Sequence, residues 1–276
     1  MKTINTLRKV SLATLLTFVL SFSSVFAQND TMYVMKNGTV VGQYNVNTEV
    51  DSVIFYKPTI EETTSGTFTD SRDGNEYNWA QIGNQVWMAE NLAYLPSVNM
   101  VADGSEDAAG SYYYVYGYNG TNVTDAKATA NYNTYGVLYN WPAAMNGAAS
   151  STTNPSGVQG VCPTGWHVPS DAEWTELTDY LGGTSVAGGK LKETGTTHWA
   201  SPNTGATNET GFTALPGGYR YNSGTFSSIG YFGNWWSATE HSAANAWDRA
   251  MITNYSNVLR FNDNKEVGFS VRCVRD

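Results

Sequence analysis

Short apolar runs separated by turn residues predict β-strands at the start of the chain. Three such runs, 32–35, 40–46 and 53–56, lie within residues 31–57, and Asn37-Gly38 between the first two favours a hairpin. Because a segment of about 27 residues cannot bury a useful core alone, we expect this small β segment to pack on another body or to serve as an adapter.

Residues 58–66 have no periodic apolar pattern and are predicted to be a linker. The main domain is therefore expected to occupy residues 67–276. It opens with β-type runs at 67–70, 76–82 and 85–88, which are separated by Asp-Gly and Gly-Asn turn pairs. This pattern predicts three consecutive strands.

The stretch CPTGWHVPSDAEWTELTDYLGG, residues 162–183, predicts a capped amphipathic helix. Ser170 is followed three residues later by Glu173, which is the sequence signature of a capping box. We therefore assign Glu173 to capping and not to catalysis. Three apolar residues at helical spacing define the face that is expected to be buried: Trp174, Leu177 and Leu181.

The remaining apolar pattern predicts one further helix and a β-rich end. A short helix is expected within 137–147, bent or interrupted near Pro142. Four β-type runs follow late in the chain: NWWSATE, AWDRAMI, NVLRFN and GFSVRCVR. The last run alternates, so that residues 269, 271 and 273 would share one face. The fold class is predicted to be α+β, with two short helices and an antiparallel sheet.

The first 27 residues have the pattern of a secretory signal peptide. Three basic residues precede an apolar run at 10–20, and Ala27 offers a small side chain for cleavage before Gln28. No later segment has 18 consecutive apolar residues, so no membrane span is expected after cleavage. We expect the mature chain in the periplasm, at the cell surface or outside the cell.

The net charge of the mature chain limits the classes of partner that we expect it to bind. Removing residues 1–27 takes away three of the 15 basic residues and none of the 24 acidic residues, which leaves 12 against 24 and a formal charge of −12. Nucleic acid and anionic membrane surfaces would repel such a chain. We therefore expect neither of them as a partner.

The chain has two cysteines, Cys162 and Cys273. In an oxidising compartment a disulfide is the expected state, although two free thiols or a metal-binding pair stay open as alternatives. On the chain-entropy model, a bridge that closes a loop of roughly this size, about 110 residues, contributes about 4 to 5 kcal/mol.

Six motifs in a fixed order carry a family resemblance over residues 67–276. The motifs are FTDSRDGNEYNWAQIGNQVWMAENL, YGVLYNWPAAMNG, GVCPTGWHVPSDAEW, ALPGGYR, WWSATE and GFSVRCVRD. With them the chain resembles the Fibrobacter succinogenes major paralogous domain of secreted and surface proteins in Bacteroidetes, which implies a C-type-lectin-like fold and no established activity.

WHVPSDAEWTEL and GFSVRCVR are also distantly similar to segments of formylglycine-generating, sulfatase-modifying enzymes, which share that fold. Those enzymes bind copper with two closely spaced cysteines. Since the two cysteines here lie far apart in sequence, the resemblance leaves the catalytic pair missing. We therefore predict a protein that is not an enzyme, with an enzyme on this fold as the alternative.

The resemblance to C-type lectins also raises the question of calcium. Those lectins hold Ca²⁺ with side-chain oxygens, and Glu240, Asn262 and Asp263 occupy comparable places. The Glu-Pro-Asn loop of the sugar-binding lectins is absent. We predict no cofactor, with calcium at these three residues as the alternative to a solvated polar hairpin tip.

Aromatic residues are the best candidates for ligand binding. Trp and Tyr side chains stack on sugar rings or anchor protein partners. We therefore interpret the protein as a secreted or surface binding module for a glycan or a protein, although aromatic residues also fill cores. Five of them lie in the loop-rich part of the main domain: Trp199, Tyr219, Tyr221, Tyr231 and Trp235.

Overall fold

The structure is a computed structural model that describes residues 31–36, 38–45, 47–48, 64–105 and 107–276. It divides into two compact units, 1–61 and 62–276. The predicted signal peptide lies outside the described residues. Within the described ranges, no helix is long and apolar enough to cross a membrane.

The first unit contains an antiparallel hairpin. Strand β1 (Thr31–Lys36) pairs with β2 (Thr39–Asn45), and Gly38 lies in the turn with a φ of +79°. Glycine adopts this left-handed conformation without steric penalty. The hairpin predicted from the first two apolar runs is confirmed, whereas the third run, 53–56, lies outside the described residues.

The second unit is built on a five-stranded antiparallel sheet with the order β3-β4-β5-β14-β8. The predicted strands at 67–70, 76–82 and 85–88 form its first half. Ser65 already pairs with Ala80, so the strand begins inside the stretch predicted to be a linker. The strands are β3 (Ser65–Thr69), β4 (Glu76–Ile82), β5 (Gln85–Met88), β8 (Trp166–His167) and β14 (Val274–Arg275).

A second antiparallel sheet has the order β11-β12-β13 and is formed by three of the late apolar runs. Two small ribbons flank these sheets, β6 with β7 and β9 with β10. The bounds are β6 (Tyr113–Tyr114), β7 (Leu138–Tyr139), β9 (Tyr219–Tyr221), β10 (Thr225–Ser227), β11 (Phe232–Glu240), β12 (Asn245–Ile252) and β13 (Leu259–Asn264).

The described residues include five helices, more than the two predicted. The capped helix is confirmed as α4, where Ser170 and Glu173 form both bonds of the capping box. The helix predicted within 137–147 is shorter, because residue 138 lies in β7 and Asn140 caps the helix instead. The helices are α1 (Val123–Lys127), α2 (Ala130–Tyr135), α3 (Trp141–Met145), α4 (Asp171–Tyr180) and α5 (Thr184–Leu191).

Helix α5 was not predicted, because the glycines in its sequence are typical of a loop. Gly188 and Gly189 are buried. A Cβ atom on Gly188 would overlap the backbone carbonyl of Asn257, and one on Gly189 would overlap that of Gly205. Two neighbouring loops thus approach the helix backbone closely. These glycines allow the approach and are not helix breakers here.

The last predicted strand differs most from expectation. Residues 267–274 are buried without interruption, so the alternation does not separate a core face from a solvent face. Arg272 is fully buried, and its guanidinium lies over the ring of Phe212 and donates to Asn91 Oδ1 at 2.9 Å. Only Val274–Arg275 form a regular strand, while residues 268–270 make isolated bridges to three other elements.

The predicted disulfide is confirmed. Cys162 and Cys273 are bonded, and both are fully buried. The bridge joins the segment before β8 to the buried C-terminal segment. With these helices and antiparallel sheets, the α+β class is confirmed.

His167 joins the helix cap to the end of the chain. Its Nε2 lies 2.6 Å from Glu173 Oε1 and its Nδ1 lies 2.7 Å from Asp276 Oδ1. Burial disfavours the charged imidazolium, but the two carboxylates outweigh burial and raise the pKa of His167 above its ordinary 6.5. Glu173 therefore has a partner beyond the capping role predicted for it.

Removing the disulfide is expected to destabilise the second unit strongly. The bridge spans 111 residues, and the double variant Cys162→Ala/Cys273→Ala should lower the free energy of unfolding by about 4 to 5 kcal/mol through the entropy of the unfolded chain. Urea unfolding measures this loss, and reduction of the natural protein should reproduce it. Equal stability of the bridged and unbridged chains would contradict the role given to the bridge.

His167 should make stability depend on pH. The pKa of His167 is higher in the folded protein than its value of 6.5 in the unfolded chain. The charged imidazolium therefore stabilises the fold fully below pH 6.5, and this stabilisation is lost as the pH rises through the pKa of the folded protein. His167→Gln should cost about 2 to 3 kcal/mol at pH 5.5, and the difference from the natural protein should shrink toward pH 9. Urea unfolding over this range tests it, with the exposed His241→Gln as the control. A difference that does not change with pH would exclude the charged form.

Candidate functional site

A pocket of about 560 Å³ opens between strand β9 and the β11-β12-β13 sheet. Its wall is rich in aromatic rings. Tyr221 and Phe261 are 50% and 44% exposed, so their surfaces are open to solvent. The aromatic residues that line the pocket are Tyr219, Tyr221, Phe232, Phe261 and Phe269.

The rings are held by contacts with one another. Tyr219 packs edge to face against Phe269 and Phe232, with ring centroids 6.1 Å and 6.3 Å apart. Tyr221 lies 5.7 Å from Tyr219, measured in the same way. Such pairs fix ring orientation, so the aromatic wall is formed before any ligand arrives.

Polar residues reach the same pocket from the three-stranded sheet. Asp248 pairs with Phe261 across β12 and β13, and Asn234 pairs with Ala250 across β11 and β12. Residues that are paired, or two apart on one strand, share a face of the sheet. Asn234, Asp248 and Asp263 therefore lie on the face that carries Phe261.

Asp248 and Asp263 form a carboxyl pair, of which Asp263 lines this pocket. Asp248 is 0% exposed, and its side chain is hydrogen-bonded to that of Asp263. Burial raises the pKa of Asp248 well above its ordinary value, and the charge of Asp263 raises it further. Burial also raises the pKa of Asp263, although the bond from Asp248 lowers it in part. Two adjacent carboxyls with raised pKa values share a proton, which Asp248 carries.

One buried oxygen at the pocket wall lacks a hydrogen-bond donor among the described residues. It is Oδ1 of Asn234, a residue that is 5% exposed. The amide of Asn234 donates to Oδ2 of Asp248 at 3.4 Å. Because buried acceptors without donors are rare in folded proteins, this oxygen marks a place where a donor from outside would be stabilised.

The five predicted ligand-binding aromatics do not form one set. Tyr219 and Tyr221 line the pocket, whereas Tyr231 is exposed but does not. Trp199 and Trp235 are fully buried, and their indole N–H groups donate to Ala214 O at 2.9 Å and Asn91 Oδ1 at 2.8 Å. A ring enclosed in the core cannot stack on a ligand, so these two tryptophans are core residues and the expectation for them was wrong.

The three calcium candidates are not assembled into a ligand set. Glu240 is bonded to the ammonium of Lys265, and Oδ1 of Asn262 accepts from Asn245 at 3.0 Å. Asn262 and Asp263 are neighbours on β13, so their side chains point to opposite faces. The part of the chain that the structure describes has no group of three or more His, Cys, Asp or Glu residues suited to a metal ion.

Sequence reasoning missed Asn234, Asp248 and the pairing of Asp248 with Asp263. One signal was available. Asp248 lies between Ala246 and Ala250 on one face of a strand whose residues are mostly buried. An acidic residue within an apolar face costs stability unless it is paired, which favours a functional or a protonated carboxyl there.

Three further buried polar atoms have no hydrogen-bond partner among the described residues, Nε1 of Trp174, Oδ1 of Asn203 and Nε of Arg272, but none of their residues lines this pocket. A larger groove, about 880 Å³, follows β3 and β4, but its Glu90 already accepts from Asn78, and it contains none of the unpaired buried atoms. The buried Lys192 ammonium donates to three backbone carbonyls. Both cysteines are in the disulfide, so the chain offers no thiol pair for copper chemistry.

Replacing Asp248 tests the shared proton. In Asp248→Asn the new amide can donate to Asp263 at every pH, whereas the natural protein loses stability as pH rises from 3.8 through the raised pKa values of the pair. We expect the variant to be more stable at pH 8 by about 1 to 2 kcal/mol, with the advantage vanishing near pH 4. Urea unfolding measures it, with the exposed Asp179→Asn as the matched control. A loss of stability at pH 8 would mean that Asp248 is ionised and well stabilised.

The Fibrobacter succinogenes major domain matches residues 80–275. No curated protein and no solved structure gives a significant match, so the predicted C-type-lectin-like fold stays a prediction. The family match covers well over half of the 276 residues and contains every residue that lines the pocket. The chain therefore belongs to the Fibrobacter succinogenes major domain family.

Proposed function

We propose that the second unit is a glycan-binding module whose ligand occupies the pocket between β9 and the three-stranded sheet. One observation carries this proposal. Open aromatic rings and an unpaired buried oxygen, Oδ1 of Asn234, lie on the same concave surface. Sugars present apolar ring faces and hydroxyl donors together, and ligand sites commonly combine apolar walls with a few placed polar groups.

The rings and the unpaired oxygen have complementary roles in this proposal. Tyr221 and Phe261 supply exposed faces on which a sugar ring stacks. Oδ1 of Asn234 then accepts a hydrogen bond from a ligand hydroxyl. The net negative charge of the chain and of this pocket disfavours sulfated and other acidic sugars.

The shape of the site favours a sugar over a folded protein partner. A stable protein interface requires about 800 Å² on each partner, and it is usually flat. The aromatic residues here surround a pocket of about 560 Å³, the size of small-molecule sites. The disulfide is compatible with an oxidising compartment outside the cytoplasm, where glycans are displayed.

Removing the exposed rings should abolish most of the affinity. After a glycan array has identified a ligand, Tyr221→Ala and Phe261→Ala should each weaken its binding about tenfold, because a stacked ring contributes about 1.4 kcal/mol. Tyr255→Ala is the matched control, since Tyr255 is 54% exposed and does not line the pocket. Isothermal titration calorimetry gives the affinities.

The proposal fails if the array detects no glycan or if the control weakens binding as much as the pocket variants do. Binding should persist after treatment with a chelator, because the predicted calcium residues have other partners. Loss of binding on chelation would restore the calcium hypothesis.

A further inference from the structure

The carboxyl pair in the pocket has no cation to balance it. Among the described residues, neither Asp248 nor Asp263 forms an ion pair with Lys, Arg or His. The neighbouring Arg249 belongs to the opposite face of its strand and binds Asp171 at 2.7 Å. A neutral sugar would satisfy the unpaired oxygen of Asn234 but would leave this negative charge unbalanced.

We infer that the pocket selects glycans that carry a free amino group, such as a de-N-acetylated hexosamine, whose ammonium binds Asp263 while a hydroxyl of the same ligand donates to the amide oxygen of Asn234. This inference rests on the proposed function and names its ligand class. Asp263 is partly exposed and lines the pocket, while Asp248 lies buried behind it. The ligand would therefore contact Asp263 directly and Asp248 would act through it.

An ammonium group matches the site in three respects. It has three N–H donors for the oxygens of Asp263, which lines the pocket. Its charge compensates the pair, and charge-assisted hydrogen bonds are stronger than neutral ones. The rings of Tyr219, Tyr221 and Phe261 surround the same space, and aromatic faces attract cations.

An N-acetyl group lacks two of these features. The amide is neutral, so it does not compensate the carboxylate, and it has a single N–H donor. A hydroxyl at the same position is also neutral and has one donor. Sugars that differ only in this substituent therefore isolate the contribution of the ammonium group.

The test uses β-1,4-linked tetramers of glucosamine, N-acetylglucosamine and glucose, titrated into the full mature chain by calorimetry at pH 6 and 0.15 M salt. Amines of this kind are mostly protonated at that pH. We expect the glucosamine tetramer to bind at least tenfold more tightly than the other two. Equal affinities, or tighter binding of either neutral tetramer, would overturn the inference.

Two variants separate the pocket from the general negative charge of the protein. Asp263→Asn should remove the preference for glucosamine, and Glu76→Gln, an equal loss of charge at an exposed residue of β4, should retain it. A preference that survives Asp263→Asn would contradict the assigned contact. Asp248→Asn, which leaves the charge of Asp263 in place, is expected to keep part of the preference and checks that the sheet still folds.

The outcomes also separate this inference from the proposed function. If the neutral tetramers bind as well as glucosamine, and Tyr221→Ala weakens all three, the glycan site stands and the inference fails. If an alkyl diamine of matched length binds as tightly as the glucosamine tetramer, the pocket recognises the ammonium group alone and the glycan proposal fails. If neither sugars nor the diamine bind, both proposals fail.

Discussion

The buried segment 267–274 is the constraint on which the second unit depends. Backbone polar groups without water must find partners in the protein, and this segment finds them on two sides. Met88 N donates to Cys273 O at 3.0 Å and Leu92 N donates to Val271 O at 2.9 Å, while Trp236 N donates to Ser270 O at 3.2 Å on the other side. The segment thereby joins the five-stranded sheet to the three-stranded sheet. The disulfide at Cys273 fixes it covalently to a third part of the chain.

The same segment positions both walls of the pocket. Gly268 and Arg220 exchange two backbone hydrogen bonds, of 2.8 Å and 3.0 Å, and Arg220 lies between the two tyrosines of β9. Ser270 N donates to Asn234 O at 3.1 Å, which holds the strand that carries the unpaired amide oxygen. Phe269, between these two anchors, lines the pocket itself. The aromatic wall and the polar wall are therefore fixed relative to each other by three consecutive residues.

Local patterns predicted those parts of the fold that local chemistry determines. The capping box of α4 and the hairpin of the first unit depend on residues within a few positions of one another, and both were found. Helix α5 was missed because Gly188 and Gly189 are required by close tertiary approach, which propensity does not describe. Trp235 was misplaced because its partner Asn91 lies 144 positions away. The acid pair requires the register of β12 with β13, and that register is set by the whole sheet.

The pocket contains groups that lower the stability of the fold. A buried carboxyl without a cation and a buried amide oxygen without a donor each lower stability by about 1 to 3 kcal/mol relative to a satisfied group, and neither is needed to hold the two sheets together. Segment 267–274, the disulfide and the capped helix supply that stability elsewhere. Binding sites commonly retain such locally unfavourable groups, because a ligand that satisfies them recovers the loss as affinity. Asn234 and the pair of Asp248 with Asp263 have this character, whereas Asn78 and Glu90 of the larger groove along β3 and β4 are paired with each other. The site differs from that groove because an unpaired amide oxygen and an unbalanced carboxyl pair lie beside open aromatic rings, and not because of the size of either cavity.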